Sequence, residues 1–282
     1  MKKILFPTDF SFISLNAFRY ALHLAQKIEA EIITLHVYDL PAGTYADYHD
    51  FLTKNYNISD WNEFENCKSD VPKLRAIADE LQLGNIQISH MLNRGNVVET
   101  ILSVAADEHV DFIVMGTTGQ SGLKEIFLGS NTENILSQAT ASVLAIPEYC
   151  HYKPIENILF LTKFKESQQK ILKSLLGMAK LFDAHIDVLQ VKSNHDKTEA
   201  EVLAKWKNAF PASNISFLML SSNDFEETII EFIETNQINI VVMQVHHKGF
   251  FEKLFGYSLS QRLTFHCEVP IMGIFQPANF FK

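Results

Sequence analysis

The sequence contains the same unit twice. Residues 1–37 align without a gap on residues 155–191, an offset of 154, and 11 of the 37 pairs are identical. Further along, the offset between matching residues falls to 128, and 154 − 128 = 26 residues. The difference indicates an insertion in the first half, between Val37 and Gly95. Repeats of this length are typical of tandem domains rather than of a solenoid.

Apolar strands alternate with amphipathic helices in each half. In the first half the strands are predicted near 3–8, 31–37, 86–92, 111–116 and 142–147, and the helices near 12–29, 71–82, 96–108 and 130–139. This alternation predicts an α/β fold, with a parallel sheet and helices on both faces. We expect two domains, 1–148 and 155–282, joined by a stiff linker that Pro147 and Pro154 bracket.

The inserted segment, roughly 38–70, is rich in aromatic residues. A segment this long is rarely free coil. The residues leave three interpretations open: a helical excursion packed on its own domain, a lid over a ligand, or an interface with the other half.

Composition excludes several classes of protein. The formal net charge of −9 argues against a broad nucleic-acid-binding surface. Cys67, Cys150 and Cys267 are far apart and form no CxxC motif, which favours reduced thiols and a cytoplasmic location. Neither a signal peptide nor an apolar run long enough to span a membrane is expected.

A glycine-bearing loop, 116–129, follows the apolar run Asp111–Met115 and precedes a helical pattern that starts at Ser130. Glycine lets the backbone approach a ligand closely. Ser130 with Glu133 forms a candidate capping box, and the N–H groups of a helix N-terminus suit a phosphate. These residues leave two interpretations open: glycines that only form turns, and a phosphate-binding loop between a strand and a helix.

The glycine spacing resembles the nucleotide-binding pattern of the universal stress protein family. Gly116, Gly119 and Gly129-Ser130 occupy its fixed positions. Three further stretches resemble the first, second and last strands of the family domain: Ile4–Asp9, Glu31–Val37 and Ala141–Pro147. The resemblance covers residues 1 to about 148. It implies an open five-stranded sheet with strand order 3-2-1-4-5 in each half.

The resemblance also implies a ligand, namely ATP or another adenine nucleotide, with Mg as a candidate accompanying ion. Asp9 would hydrogen-bond near the adenosine, and the Val37 backbone would contact adenine. The implied nucleotide-binding residues are Pro7, Thr8, Asp9, Val37, Met115, Gly116, Gly119, Gly129, Ser130 and Asn131. Gln120 stands where many members of the family have arginine, which removes a cation near the phosphates.

The second half departs from this pattern. Gln244, His247 and Tyr257 replace the three glycines, and Lys163 replaces Asp9. Side chains would fill the positions where backbone should meet phosphate, so we expect this half to be degenerate. Neighbouring histidines such as His246-His247 rarely chelate one metal, and no metal site is predicted.

No residue is placed as an obvious catalytic base. The family resemblance therefore implies a nucleotide-dependent switch or scaffold in a stress response, with an unknown protein partner. Two alternatives stay open: a nucleotide-free interaction module, and a slow ATP hydrolase. We also expect the last strands of the halves, 142–147 and 270–275, to pair as an internal pseudo-dimer; a homodimer is a further option.

Overall fold

The computed structural model describes residues 1–38, 56–117, 130–192, 200–211, 213–245 and 269–275. The chain forms two compact units, Met1–Met115 and Gly116–Lys282. Both are built from strands and helices in alternation, which confirms the predicted α/β fold. In the described residues, no helix combines the length and apolar character needed to cross a membrane.

The first unit contains a parallel sheet in the order β3-β2-β1-β4. Its strands are β1 (Lys2–Pro7), β2 (Ala30–Tyr38), β3 (Ile88–Arg94) and β4 (Phe112–Gly116), whose last residue begins the second unit. Its helices are α1 (Phe12–Ile28), α2 (Tyr56–Glu80) and α3 (Val97–Asp107). Ile4 of β1 lies between Ile32 and Phe112, and all three are fully buried.

Helix α1 packs on β1 and β2. Its N-cap is Ser11, whose hydroxyl accepts a hydrogen bond from the Ser14 N–H. Apolar residues at helical spacing then face the sheet, and the rings of Phe6 and Phe18 lie 5.0 Å apart. The helix ends at Glu29, which has a left-handed φ of 53°.

Helix α2 begins 15 residues before the predicted start, at Tyr56 rather than near 71. Residues 56–70 of the insertion are therefore helical, as the interpretation of a helical excursion predicts. The later part of α2 contacts α1 and β3 within the same unit and buries Leu74 and Ala78. Residues 39–55, with the predicted lid or interface, lie outside the described residues.

The second unit contains the remaining elements. They are α4 (Ser130–Gln138), β5 (Ser142–Ile146), β6 (Asn157–Leu161), a 3₁₀ turn (Glu166–Gln168), α5 (Gln169–Phe182), β7 (His185–Lys192), α6 (Ala200–Ala209), β8 (Ile215–Ser221), α7 (Phe225–Thr235), β9 (Ile240–Gln244) and β10 (Ile271–Ile274). The order β8-β7-β6-β9-β10 is the 3-2-1-4-5 order predicted for the second half.

The backbone repeats at the two sequence offsets. Among the described residues, four non-glycine residues of the first half have a left-handed φ, and three of them have counterparts in the second half that share it. The pairs are Phe10 and Phe164 (56° and 50°), Glu29 and Asp183 (53° and 57°), and His109 and Gln237 (53° and 50°). Such a φ is uncommon for non-glycine residues, so its recurrence at matching positions is a strong mark of duplication.

The last strands of the two halves pair with each other. β10 runs antiparallel to β5, with Ile271 opposite Ala145 and Gly273 opposite Val143. This confirms the predicted contact between 142–147 and 270–275. The boundary between the compact units falls before β5, so β5 and β10 belong to the same unit. The division into domains 1–148 and 155–282 stays a prediction.

Candidate functional site

The turn after β1 is held by its own side chains. The Thr8 N–H donates to the Leu35 carbonyl of β2 at 2.9 Å. The Thr8 hydroxyl accepts from the Phe10 N–H at 2.9 Å, and Asp9 Oδ1 accepts from the Ser11 N–H at 3.0 Å. These bonds fix the chain where it leaves the sheet and turns into α1. One Asp9 oxygen thus shapes the turn, on a side chain that is only half-buried.

His36 is a member of this strand-end cluster that the sequence did not predict. Its Nδ1 lies 2.8 Å from the Thr8 carbonyl oxygen. A carbonyl oxygen only accepts, so Nδ1 carries the proton and donates. The His36 ring also lies 5.3 Å from the ring of Phe10. The sequence signal that could have identified His36 was its position directly before Val37, a predicted contact residue.

The other predicted residues of the first unit lie at the carboxyl ends of their strands. Pro7 is the last residue of β1, and Val37 is near the end of β2, opposite Asn93 of β3. Pro7 and Met115 are buried, whereas Val37 is half-buried. The edge of a parallel sheet where strands end is the general position of ligand sites in this fold class.

In the second unit, Thr132 connects the start of α4 to the end of β4. Its hydroxyl lies 3.1 Å from the Gly116 carbonyl oxygen and 3.4 Å from that of Thr117. Thr117 donates its N–H to Ile146 of β5 at 3.0 Å. Thr132 is buried and was not predicted; the signal was a hydroxyl in the first turn of the helix.

Ser130 and Asn131 form the exposed start of α4. N–H groups at a helix N-terminus lack helical partners, and the phosphate-facing role of these two residues stays a prediction. Gly119 and Gly129, together with the rest of 118–129, lie outside the described residues.

The matching turn after β6 has the same backbone but different chemistry. The Phe164 N–H donates to the Thr162 hydroxyl at 3.0 Å, as Phe10 does to Thr8. Gln168 stands at the position of Ser14, and its Oε1 accepts from the Thr162 hydroxyl at 2.9 Å. The same oxygen accepts the N–H groups of Lys163 at 3.0 Å and Lys165 at 3.2 Å. One buried amide therefore replaces the turn-forming role of Asp9.

Aromatic residues cover this second turn. Phe164 is buried, and its ring lies 5.2 Å from that of Trp206 in α6. Phe210 and Phe217 surround the same indole at 5.9 and 6.5 Å. Gln244, also buried, occupies the position that corresponds to Gly116. The second half therefore lacks both the carboxylate of Asp9 in the turn and the glycine of Gly116 at the end of β4.

His185, Asp187 and Ser216 form a polar cluster on β7 and β8. His185 Nε2 lies 2.8 Å from the Ser216 hydroxyl and 3.4 Å from Asp187 Oδ1. Both partners meet the same ring nitrogen, whereas a hydrolytic triad needs its carboxylate on the other one. Burial raises the pKa of Asp187, and the charge of His185 and hydrogen bonds from His185 and Ser216 oppose this. The cluster is therefore structural in its geometry.

A search of the described residues finds no group of three or more His, Cys, Asp or Glu side chains arranged to hold a metal ion. Cys67 is half-buried and Cys150 is buried, and both are thiols. Cys267 lies outside the described residues.

Comparison with known proteins gives consistent relatives. Universal stress protein MJ0577 of Methanocaldococcus jannaschii is 33% identical over 152 residues, which cover 51% of this chain and 94% of that protein. Universal stress protein Slr1230 of Synechocystis sp. is 23% identical over 288 residues, with 96% of this chain and 99% of that protein covered. The second similarity extends over both halves.

The fold has a solved counterpart of the same size. The crystal structure of a universal stress protein from Archaeoglobus fulgidus covers 97% of this chain and 96% of its own, with a TM-score of 0.75 and 20% identity. In addition, the model of the Universal stress protein family matches residues 1–147. The chain therefore belongs to the universal stress protein family.

Proposed function

We propose that the N-terminal half binds one ATP, or another adenine nucleotide, per chain and that the C-terminal half does not. The bound nucleotide would set the state of a switch or scaffold in a cytoplasmic stress response. Membership of the family and the glycine spacing of 116–130 support this proposal. We also propose that the domains are 1–148 and 155–282.

One observation carries the proposal, namely the contrast between two turns with the same backbone. Phe10 and Phe164 both have a left-handed φ, of 56° and 50°, so the two turns share this backbone conformation. The residue before each is Asp9 in one half and Lys163 in the other. A carboxylate can accept hydrogen bonds from ribose hydroxyl groups, whereas an ammonium group cannot accept any.

The proposed nucleotide contacts are divided by chemistry. Asp9, with Pro7 and Thr8 beside it, would bind the ribose, and the backbone of Val37 and Met115 would meet adenine. Glycines and the exposed start of α4 would bind the phosphates: Gly116, Gly119, Gly129, Ser130 and Asn131. Mg²⁺ would accompany the phosphates of ATP, because it commonly keeps several waters and binds through phosphate oxygens. In the described part of the chain, the residues at the strand ends and at the start of α4 are suited to binding a nucleotide.

Analysis of the small molecules released from the purified protein tests the proposal. After gentle denaturation, liquid chromatography with mass spectrometry should detect an adenine nucleotide at close to one equivalent per chain. The Asp9→Ala variant should release much less, and Lys163→Ala should release as much as the wild type. The proposal would be contradicted if the purified protein carried no nucleotide and also bound none when an adenine nucleotide was added.

A nucleotide-free interaction module is the second candidate, and one surface residue favours it. Phe12, the first residue of α1, is 73% exposed, although it follows directly on the Asp9 turn. An exposed aromatic of this kind is a frequent contact residue. A slow ATP hydrolase is the third candidate; turnover above background that is lost in Asp9→Ala would favour it.

A further inference from the structure

Three polar residues form a row at the carboxyl edge of the second-half sheet. Leu161 of β6 pairs with Leu189 of β7 and with Met243 of β9. The residues that directly follow Leu161, Leu189 and Met243 therefore lie at one level of the sheet. They are Thr162, Gln190 and Gln244. Side chains at one level of a parallel sheet project from the same face. We call Thr162, Gln190 and Gln244 the polar row.

The polar row lies where the strand order reverses. From β6, the chain first adds β7 on one side and later β9 on the other. Open α/β sheets have a crevice at this point, at the carboxyl ends of the strands. The position is therefore one at which this fold class accommodates ligands.

Two side chains in the polar row have buried oxygens without a partner. Gln190 and Gln244 are 6% and 7% exposed. Oε1 of each makes no hydrogen bond within the structure, a condition shared among the described residues only by the hydroxyl of Ser142. Buried polar atoms nearly always have a partner, so two such oxygens in one row are acceptors available to a ligand that donates hydrogen bonds.

The turn beside the polar row offers few backbone donors to an incoming group. The N–H groups of Lys163 and Lys165 are bonded to Gln168 Oε1, and that of Phe164 to the Thr162 hydroxyl. The hydroxyl hydrogen of Thr162 is directed to Gln168 as well. In the second half, the donors of this turn are therefore already hydrogen-bonded to side chains of the turn itself and are not available to an anion.

From this arrangement, we propose that the polar row binds a small neutral ligand that presents N–H donors, through Oε1 of Gln190 and Gln244. A primary amide and an amino-substituted nucleobase share this chemistry. An anion would meet two carbonyl oxygens, and a buried cation would lose its hydration without gaining a carboxylate. The proposal goes beyond nucleotide binding in the first half and concerns the half that lacks the phosphate-binding residues.

The test uses the full chain with excess ATP, so that any first-half site is filled. Nicotinamide, adenine and cytosine are titrated by calorimetry and by saturation-transfer NMR, alongside forms with both amino or amide hydrogens replaced by methyl groups. At least one unmethylated probe should bind at one per chain, and its dimethyl form should bind at least tenfold more weakly. A comparison of the affinity for nicotinamide with the affinities for adenine and cytosine distinguishes amide from nucleobase ligands.

Methionine variants attribute the binding to the polar row. Gln190→Met and Gln244→Met keep the side-chain length but remove the unpartnered oxygen, so each should retain or raise the melting temperature. Each single variant should weaken probe binding several-fold, and Gln138→Met, at an exposed position of α4, should leave it unchanged.

Three results would overturn the proposal. One is that no probe binds; another is that binding persists in both methionine variants. The third is a clear fall in melting temperature in these variants, which would mean that a structural water already satisfies the two oxygens.

Discussion

Leu144 and Met272 lie opposite each other in the antiparallel pairing of β5 and β10, and they are equivalent residues of the two halves, since 144 + 128 = 272. The pairing is therefore symmetric about this pair. On one side Val143 faces Gly273, and on the other Ile271 faces Ala145. In both neighbouring pairs a β-branched residue lies opposite a small one, which leaves room where the strands approach.

Gly273→Ala should destabilise the protein although alanine is a better strand residue. A β-carbon at this position would lie 2.8 Å from Leu136 Cδ2 and 2.8 Å from Val245 Cγ2. Overpacking of this kind costs about 1–3 kcal/mol. Urea unfolding of the variant and the wild type measures the difference in unfolding free energy.

Gly84→Ala is the matched control for this prediction. There the new β-carbon would meet only Asp79, whose exposed carboxylate can rotate away. We expect a much smaller change than for Gly273→Ala. Equal effects at the two positions would show that the close contacts at β10 are not the cause.

Gln168→Ala should destabilise the second unit. The variant removes the oxygen that accepts from the Thr162 hydroxyl and from two backbone N–H groups. Thr162 is 7% exposed, so its hydroxyl would stay buried without this acceptor, at a cost of about 1–3 kcal/mol. Thermal unfolding checks this, with Ser167→Ala at the exposed neighbouring position as a control that should change little.

Asp187→Asn should become more stabilising relative to the wild type as the pH rises. Burial raises the pKa of Asp187 above its ordinary 3.8, so the protonated form is favoured in the folded state. The protonated Asp187 carboxyl group therefore contributes fully to stability at a pH below its pKa in the unfolded chain. This contribution is lost as the pH rises through its pKa in the folded protein.

Urea unfolding from about pH 4 to about pH 7 measures this dependence. The difference between Asp187→Asn and the wild type should grow over that range, and Asp183→Asn, at an exposed helix end, should show no such trend. A constant difference for Asp187→Asn would mean that His185 and Ser216 fully compensate the burial of the carboxylate.

Much of the fold could be predicted because apolar runs and helix caps are local signals. The strand predicted at 142–147 is β5 at 142–146, and the helix predicted at 130–139 is α4 at 130–138. The start of α2 was predicted near 71, which is too late. Proline is common at the first position of a helix. In the structure, Pro72 lies inside a helix that had begun at Tyr56.

The candidate site was less accessible to sequence reasoning. Asp9 and Lys163 could be compared because the halves align without a gap. The role of Gln168 could not be predicted, since it depends on one oxygen that reaches three donors in a folded turn. His36 and Thr132 were missed for the same reason: each acts through hydrogen bonds to backbone carbonyl groups that are distant in the sequence.

We propose that the two halves differ in nucleotide binding because of the residues at matched positions. Calorimetric titration of nucleotide-free protein with ATP, repeated on Asp9→Ala and Lys163→Ala, tests it most directly. We predict one site per chain, and a tenfold or greater loss of affinity in Asp9→Ala, since a lost charged hydrogen bond costs about 1.5–3 kcal/mol. Lys163→Ala should bind as the wild type does. In the phosphate-binding loop, Gly129→Val should abolish binding. The matching variant of the second half, Tyr257→Ala, should leave ATP binding nearly unchanged. Two equivalent sites per chain, or none in the stripped wild-type protein, would show that nucleotide is not bound by the first half alone.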